Sequence, residues 1–151
     1  MPPVVLFLDF DGVLNGERFL RQQRNHSSPS GQRLFDPANL AALDQLCLRA
    51  PVNRIVVTST WRIGRSVVAL RKLLADEGFE RAGRIADVTP DLGAGLRSRA
   101  IEIRTWIAAQ GPVRAVILDD VELGIGEGFF RIDASEGLTL ARVDEVLAWL
   151  G

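Results

Sequence analysis

Three short apolar runs that each end in oxygen-bearing side chains limit what this chain can fold into. The runs are residues 4–8 before Asp9, residues 55–57 before Thr58, and residues 115–118 before Asp119. β-branched runs without polar alternation are typical of parallel strands that are covered on both faces. Weaker runs at residues 84–88 and 129–132 predict two further strands.

Helical patterns alternate with these runs. One apolar stripe begins after Asp36 and stops at Pro51, a second closes near Gly78, and a third closes at Gly111. Thr139 is positioned to cap a fourth helix. Strands that alternate with helices predict an α/β fold, a three-layer doubly wound (Rossmann-like) parallel sheet that forms a single domain over residues 1–151.

Composition excludes several classes of function. The 18 basic and 19 acidic residues give a net charge of −1, so no strong non-specific binding to nucleic acid or to a membrane is expected. The single cysteine, Cys47, excludes an internal disulfide and a multi-cysteine zinc site. The chain shows neither a signal peptide nor a membrane-spanning apolar run, which predicts a cytoplasmic location.

Carboxylates accumulate at the predicted strand ends. Asp9 and Asp11 follow the first strand, and Asp119 and Asp120 follow another. In doubly wound sheets ligands bind beyond the carboxyl ends of the strands. Two carboxylates about 4 Å apart repel each other by about 4 kcal/mol at an effective dielectric constant near 20. Either protonation or a divalent cation must offset this repulsion, and a hard cation with oxygen ligands is typical of Mg²⁺.

These motifs resemble those of the haloacid dehalogenase-like (HAD) hydrolases. Residues 9–15 (DFDGVLN) are similar to the first motif, Thr58 or Ser59 to the second, and Asp119-Asp120 to the fourth. The resemblance covers essentially the whole chain. More narrowly, the segments DGVLN, TSTWR, RAIEI with Trp106, ILDD and GLT resemble the small HAD domain of bacterial proteins associated with RNA repair.

The resemblance implies a Mg²⁺-dependent phosphatase and a role for each matching residue. Asp9 is expected to attack phosphorus and form an aspartyl-phosphate. Asp11 is expected to protonate the leaving oxygen and then to activate water. Thr58 is expected to hold the phosphoryl group. The expected metal ligands are Asp9, a backbone carbonyl of Asp11, and Asp120 with Asp119 nearby.

The third motif of the HAD hydrolases, usually a lysine, has no clear match. Arg99 is expected to supply that positive charge, with Arg97 and Lys72 as rivals. Ser59 and Arg62 are expected to bind substrate, because a guanidinium grips a phosphate in bidentate fashion. A structural salt bridge is the alternative for Arg62.

The substrate is predicted from what covers the site. The interval between Gly12 and Asp36 contains a polar stretch, residues 22–33, that we predict as a loop. Neither this interval nor the one after the second motif has room for a large cap domain. A nearly capless site is open to a phosphate on the end of a large molecule such as a nucleic acid. Arg18, Arg21 and Arg24 form a candidate basic patch beside it.

Other functions remain open at this point. A silent phosphate-binding or interaction domain would keep the fold without catalysis, although binding alone needs no general acid. A small-molecule phosphatase would use the same residues. A dehalogenase would not need metal-binding carboxylates. A receiver domain would carry its phosphorylated aspartate at the end of a middle strand, where this chain offers residues 88–91.

Overall fold

The computed structural model describes residues 2–25, 31–93 and 98–151. Within these ranges five strands form one parallel sheet with the order β3-β2-β1-β4-β5. The strands are β1 (Val4–Leu8), β2 (Val52–Val57), β3 (Ile85–Val88), β4 (Arg114–Asp119) and β5 (Phe129–Arg131). The helices are α1 (Glu17–Arg24), α2 (Pro37–Arg49), α3 (Val67–Asp76), α4 (Arg99–Gln110) and α5 (Leu140–Leu150). The predicted α/β fold is confirmed, including its two weaker strands.

Each face of the sheet has its own apolar core. Leu6 and Leu8 of β1 face a core that contains buried residues of α2, α3 and α5. Val5 and Phe7, which alternate with them, face a second core that contains Trp106 of α4. The rings of Phe7 and Trp106 meet edge to face, with their centroids 5.3 Å apart. Helices therefore cover both faces, which gives the three layers of a doubly wound sheet.

The helices α2 to α5 agree with the boundaries that the sequence indicated: α2 begins after Asp36, α5 begins after Thr139, and α3 and α4 end near Gly78 and at Gly111. The side chain of Asp36 accepts a hydrogen bond from the Ala38 N–H at 2.9 Å, and Thr139 accepts one from the Arg142 N–H at 3.2 Å. At the C-terminal end of α4, Gly111 adopts a φ of 91°, which favours glycine. No helix in the described part of the chain is both long and apolar enough to cross a membrane.

The helix α1 was not expected from the sequence. Residues 22–33 were predicted as a loop, but α1 extends through Arg24, so the prediction is wrong for the first residues of that stretch. Phe19 is the one buried residue of α1, which gives it no apolar stripe to detect. Its stability comes partly from end charges, with Glu17 in the first turn and Arg21 and Arg24 in the last.

Candidate active site

The predicted site residues lie side by side at the carboxyl ends of three adjacent strands, β2, β1 and β4. The pairing registers of β2 and β4 with β1 place Asp9, Thr58 and Asp119 side by side. The Thr58 N–H donates to the Leu8 carbonyl at 2.9 Å, and the Asp9 N–H donates to the Leu118 carbonyl at 3.1 Å. The strand order also reverses beside β1, because the chain moves outward to β3 and then returns to β4 on the other side. Doubly wound sheets bind ligands at such a switch point.

Asp9, Asp119 and Asp120 form an acidic cluster at this edge. Each offers one carboxylate oxygen, and the three oxygens lie within 4.8 Å of one another. Asp9 and Asp119 are 3% and 1% exposed, whereas Asp120 is partly exposed. The Arg99 Nη1 donates to Asp119 Oδ2 at 2.8 Å and to Asp9 Oδ2 at 3.3 Å. The predicted meeting of carboxylates from β1 and β4 is confirmed.

Burial and like charges disfavour the ionised forms of the clustered carboxyl groups. Burial, together with the Asp119 carboxylate, raises the pKa of Asp9 to about 8, although Arg99 opposes the shift. Burial and Asp119 also raise the pKa of Asp120. Burial disfavours the charged form of Arg99, but the Asp9 and Asp119 carboxylates outweigh it and raise the pKa of this guanidinium. Among the described residues, Arg99 is the one cation in contact with Asp9 and Asp119, so a further positive charge would favour ionisation of the cluster.

Gly12 is required by the position of Asp120. A Cβ atom on Gly12 would lie 2.4 Å from Asp120 Oδ2, which is closer than any van der Waals contact allows. Gly12 also has a φ of 81°, in the region that L-residues avoid. The glycine of the first motif therefore makes room for a carboxylate of the fourth.

Asp11 lies outside the acidic cluster. Its carboxylate is exposed and accepts hydrogen bonds from Asn15 Nδ2 at 3.0 Å and from Trp61 Nε1 at 3.2 Å. The Asn15 Oδ1 in turn accepts from the Gly12 N–H at 2.9 Å, so the whole turn is braced. The Asp11 side chain is thus not part of the group of three carboxylates, and the backbone carbonyl of Asp11 remains a predicted metal ligand.

Three hydroxyl residues follow β2, and the first two of them, Thr58 and Ser59, are buried. Thr58 is 2% exposed and Ser59 is 1% exposed. The Ser59 Oγ accepts a hydrogen bond from the Trp61 N–H at 3.2 Å and begins a 3₁₀ turn over Thr60–Arg62. Because that oxygen acts as an acceptor, the Ser59 O–H proton can still be donated to a ligand.

Arg62 is committed to structural contacts. Its Nε donates to the Thr89 carbonyl and its Nη1 to the carbonyls of Thr58 and Ser59, at 2.9 to 3.1 Å. Its Nη2 donates to the Pro90 carbonyl at 3.0 Å and to Glu102 Oε2 at 2.9 Å. All five N–H groups of the guanidinium have acceptors, so none is left to hold a phosphate. These contacts favour the structural salt bridge over the predicted substrate contact.

Of the three candidate cations, Arg99 lies in the acidic cluster. Lys72 is exposed on α3 and donates to Asp76 at 2.8 Å. Arg97 lies outside the described residues. Arg99 is buried and opens α4, although the segment before it gave no pattern that marks a phosphate-binding position.

Three residues near the site have contacts that sequence reasoning missed. Asn15 belongs to the segment that resembles the first motif, and its spacing of four residues from Asp11 within one turn is a signal for the contact between the two side chains. Glu102 is a buried acid beside the apolar residues Ile103 and Trp106 of α4, which is a weaker signal. The Trp61 ring packs against Phe10 and Phe35, and its indole N–H also binds Asp11.

Comparison with known proteins agrees with this geometry. Residues 5–143 match the family described as the HAD domain in Swiss Army Knife RNA repair proteins. No curated protein and no solved structure matches the chain. The family match spans nearly the full length, and the parallel sheet with its acidic edge has the architecture expected of a HAD domain. The chain therefore belongs to the family described as the HAD domain in Swiss Army Knife RNA repair proteins, and this membership suggests a phosphatase-type or other HAD-fold function.

Proposed function

We propose that this domain is a Mg²⁺-dependent phosphomonoester hydrolase that works through an aspartyl-phosphate on Asp9. The observation that carries the proposal is the surroundings of Asp9, a buried carboxylate at the switch point of the sheet, in contact with Arg99 and beside Asp119 and Asp120. Both a carboxylate nucleophile and a phosphate are negative, so attack requires concentrated positive charge at this position.

The chemistry of the acidic cluster fits Mg²⁺. Asp119 already uses one oxygen for Arg99 and the other for the Val121 N–H at 3.0 Å. Asp120 is therefore the better direct ligand, together with Asp9 and the backbone carbonyl of Asp11, while Asp119 orients Arg99. When bound, the ion would neutralise charge on the phosphoryl oxygens.

The catalytic steps divide between two carboxyl groups. A carboxylate oxygen of Asp9 attacks phosphorus, so that a new O–P bond forms and the ester O–P bond breaks. The Asp11 carboxylic acid donates its proton to the leaving oxygen. Water then attacks phosphorus in the aspartyl-phosphate, Asp11 takes a proton from that water, and inorganic phosphate leaves while Asp9 is regenerated.

The remaining residues bind the phosphoryl group. Arg99 lies 3.3 Å from the Asp9 carboxylate, so a phosphoryl group on Asp9 would be within its reach. This guanidinium replaces the lysine of the third motif. Thr58 donates its hydroxyl proton to a phosphoryl oxygen, and Ser59 is a second donor in the same turn.

The proposed substrate is a terminal phosphate on a nucleic acid. The matched family takes its description from RNA repair proteins. An open site also supports this choice, since α3 is the one α-helix between β2 and β3 and α1 has only 8 residues. A net charge of −1 means that affinity must come from local contacts at the site.

The test is a phosphatase screen in Mg²⁺ and in EDTA. It compares oligonucleotides phosphorylated at the 3′ or the 5′ end with nucleotides, sugar phosphates and acetyl phosphate. Asp9→Asn is expected to abolish turnover, and EDTA is expected to do so reversibly. Acetyl phosphate needs little help from a general acid, so Asp11→Asn should accumulate phosphorylated Asp9, which mass spectrometry of the acid-quenched protein detects.

Two results would favour other functions. Hydrolysis of sugar phosphates in preference to every oligonucleotide would make this domain a small-molecule phosphatase. Binding of phosphorylated ends without Asp9-dependent turnover would make it a silent phosphate-binding domain of the same fold.

A further inference from the structure

A cavity opens beside Asp11, and its lining includes none of the three clustered carboxylates. Its volume is about 330 Å³, and its lining includes Asp11, Asn15, Leu20, Gln23, Arg24 and Trp61. Small-molecule sites range from roughly 300 to 1,000 Å³, so this cavity suits a single small group. We refer to these six residues and the space between them as the Asp11 pocket.

The position of Asp11 determines what such a pocket can hold. Under the proposed function, on which this inference rests, the Asp11 carboxyl must come within hydrogen-bond reach of the leaving oxygen. Whatever is attached to that oxygen then extends from Asp11 into the adjoining space. A second cavity of about 440 Å³ lies against Asp120, but it is lined by Asp133 and does not include Asp11. Its lining also contains Arg131, so its charge is mixed, and it is the poorer location for the leaving group because it does not adjoin Asp11.

The lining of the pocket has the mixed chemistry that a nucleoside requires. Leu20, Gln23 and Arg24 share one face of α1 because they are spaced by three and four residues. Leu20 offers apolar surface to a sugar or a base. The Gln23 Oε1 accepts from the Arg33 N–H at 2.6 Å, which holds the side-chain amide in place, and its NH₂ group has no acceptor among the described residues.

Arg24 differs from the other arginines of α1. Arg18 pairs with Glu136 at 2.8 Å, and Arg21 lies 3.9 Å from Glu17. Among the residues that the structure describes, Arg24 has no acidic partner within 4.0 Å, and it lines the Asp11 pocket. The three arginines that the sequence grouped as one basic patch are thus separated in role, and Arg24 is the one beside the chemistry.

We propose that the Asp11 pocket binds the nucleoside that carries the terminal phosphate, and that Arg24 binds the next phosphate along the strand. Trp61 holds Asp11 in place and forms the edge of the pocket. Its ring lies under the Arg65 guanidinium at 5.4 Å and against Phe35 at 5.2 Å, so it is not an open stacking platform. Selectivity for a nucleotide therefore comes from α1.

The test measures kcat and KM for three substrates, which are acetyl phosphate, a mononucleotide and a dinucleotide with the phosphorylated end that the protein accepts. Leu20→Trp fills the pocket, so kcat/KM for the mononucleotide should fall about tenfold relative to acetyl phosphate. Arg24→Ala should raise KM for the dinucleotide about fivefold to tenfold relative to the mononucleotide, as expected for one lost charge-assisted contact. The matched control is Arg21→Ala, on the same helix, which should behave as the unmodified protein.

Salt dependence separates a phosphate contact from a structural role. The slope of log KM against log salt for the dinucleotide should become smaller by about 0.7 in Arg24→Ala, because one fewer phosphate is neutralised. An Arg24→Ala protein that matches Arg21→Ala in KM and slope would overturn the proposal, as would a Leu20→Trp protein with unchanged selectivity. If Asp9-dependent hydrolysis of acetyl phosphate persists in these cases, only the pocket assignment fails. If no substrate, acetyl phosphate included, is hydrolysed in an Asp9-dependent way, both proposals fail.

Discussion

Gly12→Ala tests how closely the first and fourth motifs fit together, and Gly64 supplies a matched control. Gly12 and Gly64 have similar φ values of 81° and 76°. Alanine at either position should therefore cost about 1–2 kcal/mol of backbone strain. A Cβ on Gly12 would also lie 2.4 Å from Asp120 Oδ2 and 2.9 Å from Asp120 Cβ, whereas nothing lies within 4 Å of a Cβ on Gly64. A difference between the two variants in Tm or in its response to Mg²⁺ can therefore be assigned to the clash with Asp120.

Thermal unfolding with and without Mg²⁺ measures this difference. Both variants should lose roughly 2–8 °C in Tm, since 1 kcal/mol corresponds to about 2–4 °C for a chain of this size. Gly64→Ala should keep the full Mg²⁺-induced rise in Tm, because binding to the folded state alone stabilises it. Gly12→Ala should lose most of that rise, since Asp120 must rotate away from the other carboxylates. Equal Mg²⁺ responses in the two variants would refute the reasoning.

Three further results are expected. Glu102→Gln should cost about 3 kcal/mol in a urea titration, because the charge of buried Arg62 loses its partner; the exposed control Asp76→Asn should change little. In metal-free protein, stability should fall as pH rises from about 4 to about 8. The folded state keeps a proton on Asp9, whose pKa is raised to about 8, while the unfolded chain releases it near pH 3.8, and a urea series across pH would show this slope. Burial raises the pKa of Cys47 to about 11, so its thiol should react with a chromogenic disulfide at pH 8 only after unfolding.

The parts of the site that were predictable depend on short segments. Asp9, Thr58 and Asp119 each follow an apolar run, and parallel pairing brings the ends of such runs to one edge whatever their separation in sequence. The helix caps Asp36 and Thr139 were also predictable from nearby residues, since each side chain accepts a hydrogen bond from an N–H two or three residues further along the chain. Patterns within a few residues were sufficient for the fold and for the acidic edge.

The parts that were not predictable depend on contacts between distant segments. Arg62 and Glu102 are 40 residues apart, and nothing near either one shows that they meet. The bond from Trp61 to Asp11 spans 50 residues. A buried arginine with five acceptors and an arginine that grips phosphate look the same in a sequence, because the difference lies entirely in which carbonyls surround the guanidinium.

The structure also gives a physical reason why two carboxylates of one motif can have different roles. Asp9 is buried, touches Arg99 and stands among like charges, so its ionised form depends on added positive charge. Asp11 is exposed and is held by the neutral donors of Asn15 and Trp61, at the mouth of a cavity. A nucleophile needs the first environment, because the positive charge that keeps its carboxylate ionised must also attract the negative phosphoryl group. A general acid needs the second, because its proton must travel with a departing group toward solvent.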